Sequence, residues 1–299
     1  MSREIIKEDI PKVKALMLKV LNTDEYIDLQ RMGGLTNHTY KVNLINGEEY
    51  VVRIPGEGTE KLIARDDEMI STKLACELGV DAELLYFDLS GAKVTRYIPN
   101  AITMSANSLR EEKHIKQVAQ IFMKMHNCGV DTKIPFEVFD MARGYEKIIR
   151  DNNVSMFEDY QYTKNEVMKI KEEVDATVEI CKVPCHNDPL CENWIEGNGQ
   201  MYLIDWEYAG MNDGMWDLAD VSIEAGYDVT CDNLLLRSYM GKEPGIIDKK
   251  HFLANKIYVD YLWTLWAKAR VPYDGQPMED WAVERYGRLK SFIKDYRKL

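Results

Sequence analysis

The hydrophobic pattern of this chain changes its period near residue 98, and that change limits its fold more than any other feature. From about residue 26 the apolar residues alternate in short runs. Thr39-Tyr40-Lys41-Val42-Asn43-Leu44-Ile45 reads as a strand, Asn46-Gly47 as a hairpin turn, and Tyr50-Val51-Val52-Arg53-Ile54 as the returning strand. A helix over about 64–78 follows, stopped by Gly79, and then two strands near 83–88 and 92–97 joined by Ser90-Gly91. Beyond Pro99 helical periodicity takes over, with helices expected near 108–128, 140–151, 161–180, 213–225, 249–271 and 278–297. A further helix over about 1–22 opens the chain. The helical half contains a single short hairpin, from Trp194-Ile195 to Tyr202-Leu203-Ile204-Asp205, turning at Gly197-Asn198-Gly199. The reading is an α+β chain of two lobes, a small β-rich N-lobe over 1–98 and a large helical C-lobe over 99–299. A cleft between such lobes is a natural cofactor site.

Composition removes several classes. With 299 residues, 45% hydrophobic and 29% charged, the chain can bury a large core and does not read as disordered. No run of about 18 apolar residues occurs, so membrane insertion is not expected. The first residues are charged and amphipathic, without the apolar stretch of a signal peptide, and the expected compartment is the cytoplasm. Fifty acidic against 38 basic residues give a net charge of −12 with no long basic cluster, which disfavours nucleic acid and suits a cationic ligand better than an anionic one. Cys181, Cys185 and Cys191 lie near His186, but the paired C-x-x-C spacing of structural zinc is missing. Reduced thiols are expected.

The densest chemistry lies in Cys185-His186-Asn187-Asp188-Pro189-Leu190-Cys191-Glu192-Asn193, followed by Tyr202-Leu203-Ile204-Asp205-Trp206-Glu207. An H-x-D-x-x-x-x-N run with a second aspartate after a short hairpin has the spacing of a kinase catalytic loop. Moving the γ-phosphoryl group of ATP needs a carboxylate that orients the attacking hydroxyl and accepts its proton. It also needs neutral and anionic oxygen ligands that hold Mg²⁺ against the phosphates. Asp188 suits the base, Asn193 offers an amide oxygen, and Asp205 offers the anionic metal ligand. His186 is expected to brace the loop through hydrogen bonds rather than to exchange protons. The spacing alone also arises in ordinary polar loops; its coupling to the hairpin sets it apart.

With those residues the chain resembles the choline/ethanolamine kinases, the bacterial choline kinases in particular, within the aminoglycoside-phosphotransferase-like, protein kinase-like bilobal fold. The likeness runs from about residue 26 to 290. It rests on Gly33-Gly34-Leu35-Thr36-Asn37, Tyr50-Val51-Val52-Arg53, Tyr97-Ile98-Pro99, the loop from His186 to Asn193, Ile204-Asp205-Trp206-Glu207-Tyr208, and Leu262-Trp263-Thr264-Leu265-Trp266. The resemblance implies that residues 33–37 form the phosphate-covering turn, with Gly34, Thr36 and Asn37 at the ATP. It places Arg53 where a strand cation grips phosphates and Glu68 as its ion-pair partner, with Asp66 and Asp67 as competing carboxylates. Tyr97 and Ile98 would form the hinge whose backbone meets the adenine edge.

A quaternary ammonium cannot donate hydrogen bonds but is drawn to aromatic faces. The resemblance assigns that role to Tyr208, Trp263, Trp266 and Trp281, with Asp188, Glu207 and Glu224 supplying negative charge. Trp263 and Trp266 are three apart on a helix and so share a face. The same helix is apolar on most sides, so its tryptophans also suit a core. Asp217 could join Glu224 at the negative rim but is as well placed to cap its helix or brace the catalytic loop, and Tyr286 reads as packing. The expected activity is an ATP- and Mg²⁺-dependent choline kinase giving phosphocholine and ADP. Ethanolamine, thiamine or an aminoglycoside are the alternative acceptors, and a catalytically silent binding protein is the alternative outside enzymes.

Overall fold

Alternation in the first hundred residues becomes a five-stranded antiparallel sheet. The computed structural model describes residues 4–32, 37–56 and 64–299. The strands β1 (Asp28–Arg31), β2 (Asn37–Asn43), β3 (Glu49–Pro55), β4 (Leu84–Phe87) and β5 (Lys93–Arg96) lie in the order β1-β2-β3-β5-β4. Register follows from the Asn46-Gly47 turn, where Gly47 adopts φ +86°, a value that glycine reaches without strain. It sets Tyr40 opposite Val52 and Val42 opposite Tyr50, and Val52 in turn faces Val94. Side chains alternate across a strand, so these five share one face. That face is buried against Val13 and Met17 of helix α1 (Ile10–Leu21). Each such side chain stabilises the unit by about 1.5–3 kcal/mol through burial. The opposite face carries Thr39, Val51, Arg53, Lys93 and Thr95 and lines a cavity.

By its internal packing the chain divides into two units, Met1–Met104 with Glu192–Ala209, and Ser105–Cys191 with Gly210–Leu299. The first therefore extends beyond the expected boundary at 98. It also takes in the hairpin that the sequence reading places in the helical lobe. The reason is a strand pairing invisible in sequence. Strand β6 (Ile102–Thr103) pairs with β8 (Trp194–Gly197), which pairs with β9 (Gln200–Leu203). Gly197 is needed there, because a Cβ would lie 2.4 Å from Ile98 Cγ2 and 2.9 Å from the Pro99 carbonyl oxygen. Helix α2 (Arg65–Glu77) completes the unit's described helices.

The second unit is helical around one antiparallel ribbon, β7 (Lys182–Cys185) with β10 (Gly210–Asp213). Its helices are α3 (Ala106–Leu109), α4 (Glu112–His126), α5 (Val138–Asp151), α6 (Tyr160–Asp175), α7 (Gly214–Glu224), α8 (Val229–Met240), α9 (Ile246–Asp274) and α10 (Gln276–Tyr296). Every residue from 254 to 265 of α9 is buried, as its apolar character on most faces requires. Helix α9 runs three residues past the expected end and contains Pro272, which in the last turn removes only one backbone bond. Helix α8 lies where the sequence reading has none. Its signals are at its ends: the Asp228 carboxylate accepts the Cys231 N–H at 2.9 Å, and Gly241 closes it at φ +68°. Among the described residues no helix is long and apolar enough to cross a membrane.

Candidate active site

On the cavity face of the sheet the expected Arg53–Glu68 pair forms, and a second arginine joins it. Arg53 Nη1 donates to Glu68 Oε1 at 2.5 Å, and Arg53 Nε donates to the Gly91 carbonyl at 3.0 Å. Arg65 Nη1 takes the other carboxylate oxygen at 2.6 Å, and its Nη2 reaches Asn37 Oδ1 at 3.1 Å. Glu68 thus lies between two guanidinium groups with 1% exposure, and the choice among Asp66, Asp67 and Glu68 falls on Glu68. Burial pushes its carboxyl upward, but Arg53, Lys93 and Arg65 together hold it below the ordinary range. Arg53 Nη2 is buried without a hydrogen-bond partner among the described residues. Gly33, Gly34, Leu35 and Thr36 of the expected phosphate turn lie outside the described residues; Asn37 begins β2.

The cavity has a volume of about 250 Å³, and its walls include Arg53, Lys93, Asp81, Tyr97, Ile98 and Asp205. The hairpin brings the two expected metal ligands together: Trp194 pairs with Leu203, and the Ile204 N–H donates to the Asn193 carbonyl at 2.9 Å. Asp205, the next residue, holds φ +71°. A non-glycine residue in that region is uncommon and marks a constrained position. Its neighbour Trp206 is anchored, with the indole N–H donating to Asp81 Oδ2 at 3.0 Å while the Ala82 N–H donates to Asp81 Oδ1 at 2.6 Å. Burial raises the Asp81 carboxyl to about 6, against the lowering effect of Lys93 and of both hydrogen bonds. Asp81, Lys93 and Arg65 escaped the sequence reading, because their places depend on sheet register and helix docking. Tyr97 and Ile98 line the cavity as expected, but the Tyr97 N–H is committed to the Glu49 carbonyl at 3.0 Å.

In the second unit the loop that carries Asp188 leaves β7 and is pinned by α7. Asp217, with 0% exposure, accepts the His186 N–H at Oδ2 and the Asn187 N–H at Oδ1, each at 2.8 Å. Of the three roles expected for it, rim, cap and brace, these bonds are those of the brace. Asn187 holds φ +68°, and the indole of Trp216 donates to its carbonyl at 3.0 Å. Asn212 Nδ2 donates to Asn187 Oδ1, also at 3.0 Å. The Asp188 N–H donates to His186 Nδ1 at 3.3 Å, so His186 braces the loop as its position suggested. The backbone leading into Asp188 is therefore fixed on both sides. His126 Nε2, Cys185 Sγ and an Asp217 oxygen lie within 4.8 Å of one another. Each already has a hydrogen-bond partner in that network, and burial pushes the Cys185 thiol well up, away from the thiolate a metal needs. All six cysteines are free thiols.

The three tryptophans of the expected acceptor pocket come together. Trp263 and Trp266 meet edge to face at 6.2 Å between centroids, and Trp266 and Trp281 at 5.8 Å. Trp263 is buried, whereas Trp266 and Trp281 are half-buried. Tyr208 and Glu207 belong to the first unit. Glu224 pairs with Arg285, whose guanidinium also reaches Asp260 at 3.1 Å and lies 4.1 Å over the Trp281 ring. One turn earlier on α7, both carboxylate oxygens of Asp220 are buried without a partner among the described residues. Burial, then Glu224 and Asp188, push that carboxyl well up. Tyr286 packs, stacked on Phe157 at 3.9 Å with its hydroxyl on Asp159 and Thr163.

Comparison with known proteins identifies the family of the chain. Residues 29–261 match the family described as Choline/ethanolamine kinase. Protein LicA of Haemophilus influenzae is 30% identical over 267 residues, covering 87% of this chain and 78% of that protein. A choline/ethanolamine kinase family protein from Mesorhizobium loti superposes with a TM-score of 0.84 at 31% identity, over 95% of this chain and 94% of that one. Choline kinase LicA from Streptococcus pneumoniae superposes with a TM-score of 0.80 at 29% identity, over 97% of this chain and 100% of that one. The α+β fold expected from the sequence, with a small sheet part and a larger helical part, is the fold of these proteins.

Proposed function

The chain belongs to the choline/ethanolamine kinase family, and on that premise we propose that it phosphorylates choline, giving phosphocholine and ADP. The observation that carries the kinase chemistry is the hairpin register, which ties the Asn193 carbonyl to the Ile204 N–H next to Asp205, at the wall of a cavity that Arg53, held by Glu68, also lines. One carboxylate and one amide oxygen are the hard donors that Mg²⁺ takes when it is bound through few protein ligands. Asn193 and Asp205 would hold the ion. Bound ATP·Mg²⁺ supplies the phosphoryl group and offsets the charge that builds on it. Arg53, kept in place by Glu68, would bind phosphate oxygens. Asp188 would accept a hydrogen bond from the substrate hydroxyl, orient its oxygen for in-line attack and take the proton as the new O–P bond forms and the bond from the γ-phosphorus to the β,γ-bridging oxygen breaks, releasing ADP.

Choline is favoured over ethanolamine by the acceptor side. Trp266 and Trp281 offer half-buried aromatic surface, and Glu224 is already neutralised by Arg285. Such lining attracts a trimethylammonium group without offering the several acceptors a primary ammonium needs. The solved choline kinase from Streptococcus pneumoniae supports the same reading. The test is ADP release measured with choline and with ethanolamine as sole acceptors. The expected result is a kcat/KM for choline at least ten times that for ethanolamine. The reverse order would assign the chain to ethanolamine, and Asp220, with its two unpartnered oxygens, would be the group to examine.

A further inference from the structure

Strand register puts Lys93 of β5 directly opposite Arg53 of β3. Like charges facing each other across a strand pair destabilise a sheet, so the fold keeps this pair at a cost. The carboxylates nearby feel the charge of Lys93 but do not hydrogen-bond to it. Glu68 is occupied by Arg53 and Arg65, and Asp81 by the Trp206 indole and the Ala82 N–H. Lys93 makes no hydrogen bond or ion pair among the described residues, and its ammonium lies 5.5 Å from the Phe87 ring centroid. Burial and then the facing Arg53 push its pKa down. Two of the three nitrogens of Arg53 are committed to protein acceptors, and Nη2 is without one among the described residues. Lys93 is thus a cavity cation that interacts with Glu68, Asp81 and Asp205 through charge alone and whose ammonium donors are left uncommitted among the described residues.

We propose that Lys93 is a phosphate-contacting residue of the nucleotide site, its ammonium binding an α- or β-phosphate oxygen beside the guanidinium of Arg53. The inference rests on the reading that this cavity takes ATP. It assigns the two cations different work. Arg53 ties the phosphates to helix α2 through Glu68, while Lys93 supplies a compact charge that an anion relieves from its like-charged neighbour. A lysine kept only as a counter-ion for Glu68, Asp81 and Asp205 would instead hold the unit together in the absence of nucleotide.

Equilibrium binding of adenosine, ADP and ATP to the whole protein separates these roles, using wild type, Lys93→Met and, should Met impair folding, Lys93→Gln. The variant is expected to bind ADP and ATP about 10- to 100-fold more weakly, the range of a lost charge-assisted hydrogen bond. Adenosine, which lacks phosphate, should bind within about two-fold of wild type, a difference small on the affinity scale. The ligand-free melting temperature should hold or rise, because the opposed charges are gone. Equal weakening of all three ligands together with a lower melting temperature would overturn the proposal, as would unchanged binding of all three. A wild-type protein that binds neither ADP nor ATP would instead overturn the reading of the cavity itself.

Discussion

Glu68 and Asp217 are both carboxylates with almost no exposure, yet one is held by two guanidinium groups and the other by two backbone N–H groups and the His126 ring. In the sheet unit the geometry depends on charge. Arg53, Arg65 and Glu68 hold one another, and cationic groups remain beside them with hydrogen-bonding capacity to spare. In the helical unit the loop around Asp188 is fixed through its own backbone, with Asp217, Trp216 and Asn212 each taking one or more of its polar groups. A charge network of the first kind suits a wall that must receive an anion. A saturated network of the second kind suits a base that must already be in place when substrate arrives.

The largest expected effect comes from breaking the ionic wall. Glu68→Ala leaves two buried guanidinium groups uncompensated and should cost about 3–5 kcal/mol in urea unfolding, with KM for ATP raised. A loss below about 1 kcal/mol would mean that solvent already screens the pair. The wild-type pair also sets an acid limit. The Glu68 pKa is depressed from 4.5 in the folded protein, so its contribution is present above that value and lost as pH falls through the folded one.

Asp81 should show the opposite sign. Its pKa rises from 3.8 to about 6 on folding, so its contribution is present below 3.8 and lost as pH rises through about 6. The stability gained by Asp81→Asn over wild type should therefore grow between pH 4 and 6 and then level, at up to about 3 kcal/mol. A pH-independent difference in thermal melts across that window would contradict the burial argument.

Trp266 lies outside both carboxylate networks. Trp266→Ala should raise KM for choline about ten-fold and leave KM for ATP unchanged, as a lost cation–π face predicts. Equal changes in both would make the residue core packing. The smallest effect is expected from Trp216→Phe, which keeps an aromatic side chain but removes the indole N–H from the Asn187 carbonyl. It should cost about 1 kcal/mol and lower kcat more than it alters either KM.

How much of this was legible in the sequence depends on how far apart the partners lie. Asn46-Gly47, the alternating strands beside it and the spacing from His186 to Asn193 are local, and the structure has them where the pattern puts them. Arg53 and Glu68 are 15 residues apart on adjacent elements, and the pairing could be read from strand-then-helix order. Lys93 meets Arg53 only through the β3–β5 register, Trp206 reaches Asp81 across 125 residues, and Arg285 reaches Glu224 across 61. No periodicity carries such distances. Strands β6, β7 and β10 were missed for the same reason, each being short and paired with a distant segment. Helix α8 was missed although Asp228 and Gly241 mark both its ends, because only Leu235 and Leu236 are buried along it and its apolar stripe is faint.

Asp188→Asn tests the central claim most directly. The substitution keeps the size of the side chain and removes the proton acceptor, leaving the backbone bonds of the loop to Asp217 and Trp216 intact. ADP release with choline should fall by at least about a hundred-fold, within the range of lost general-base catalysis, while ATP·Mg²⁺ binding stays within about two-fold of wild type. Turnover near the wild-type rate would contradict the account, because the loop would then be fixed around a residue that does not take the proton.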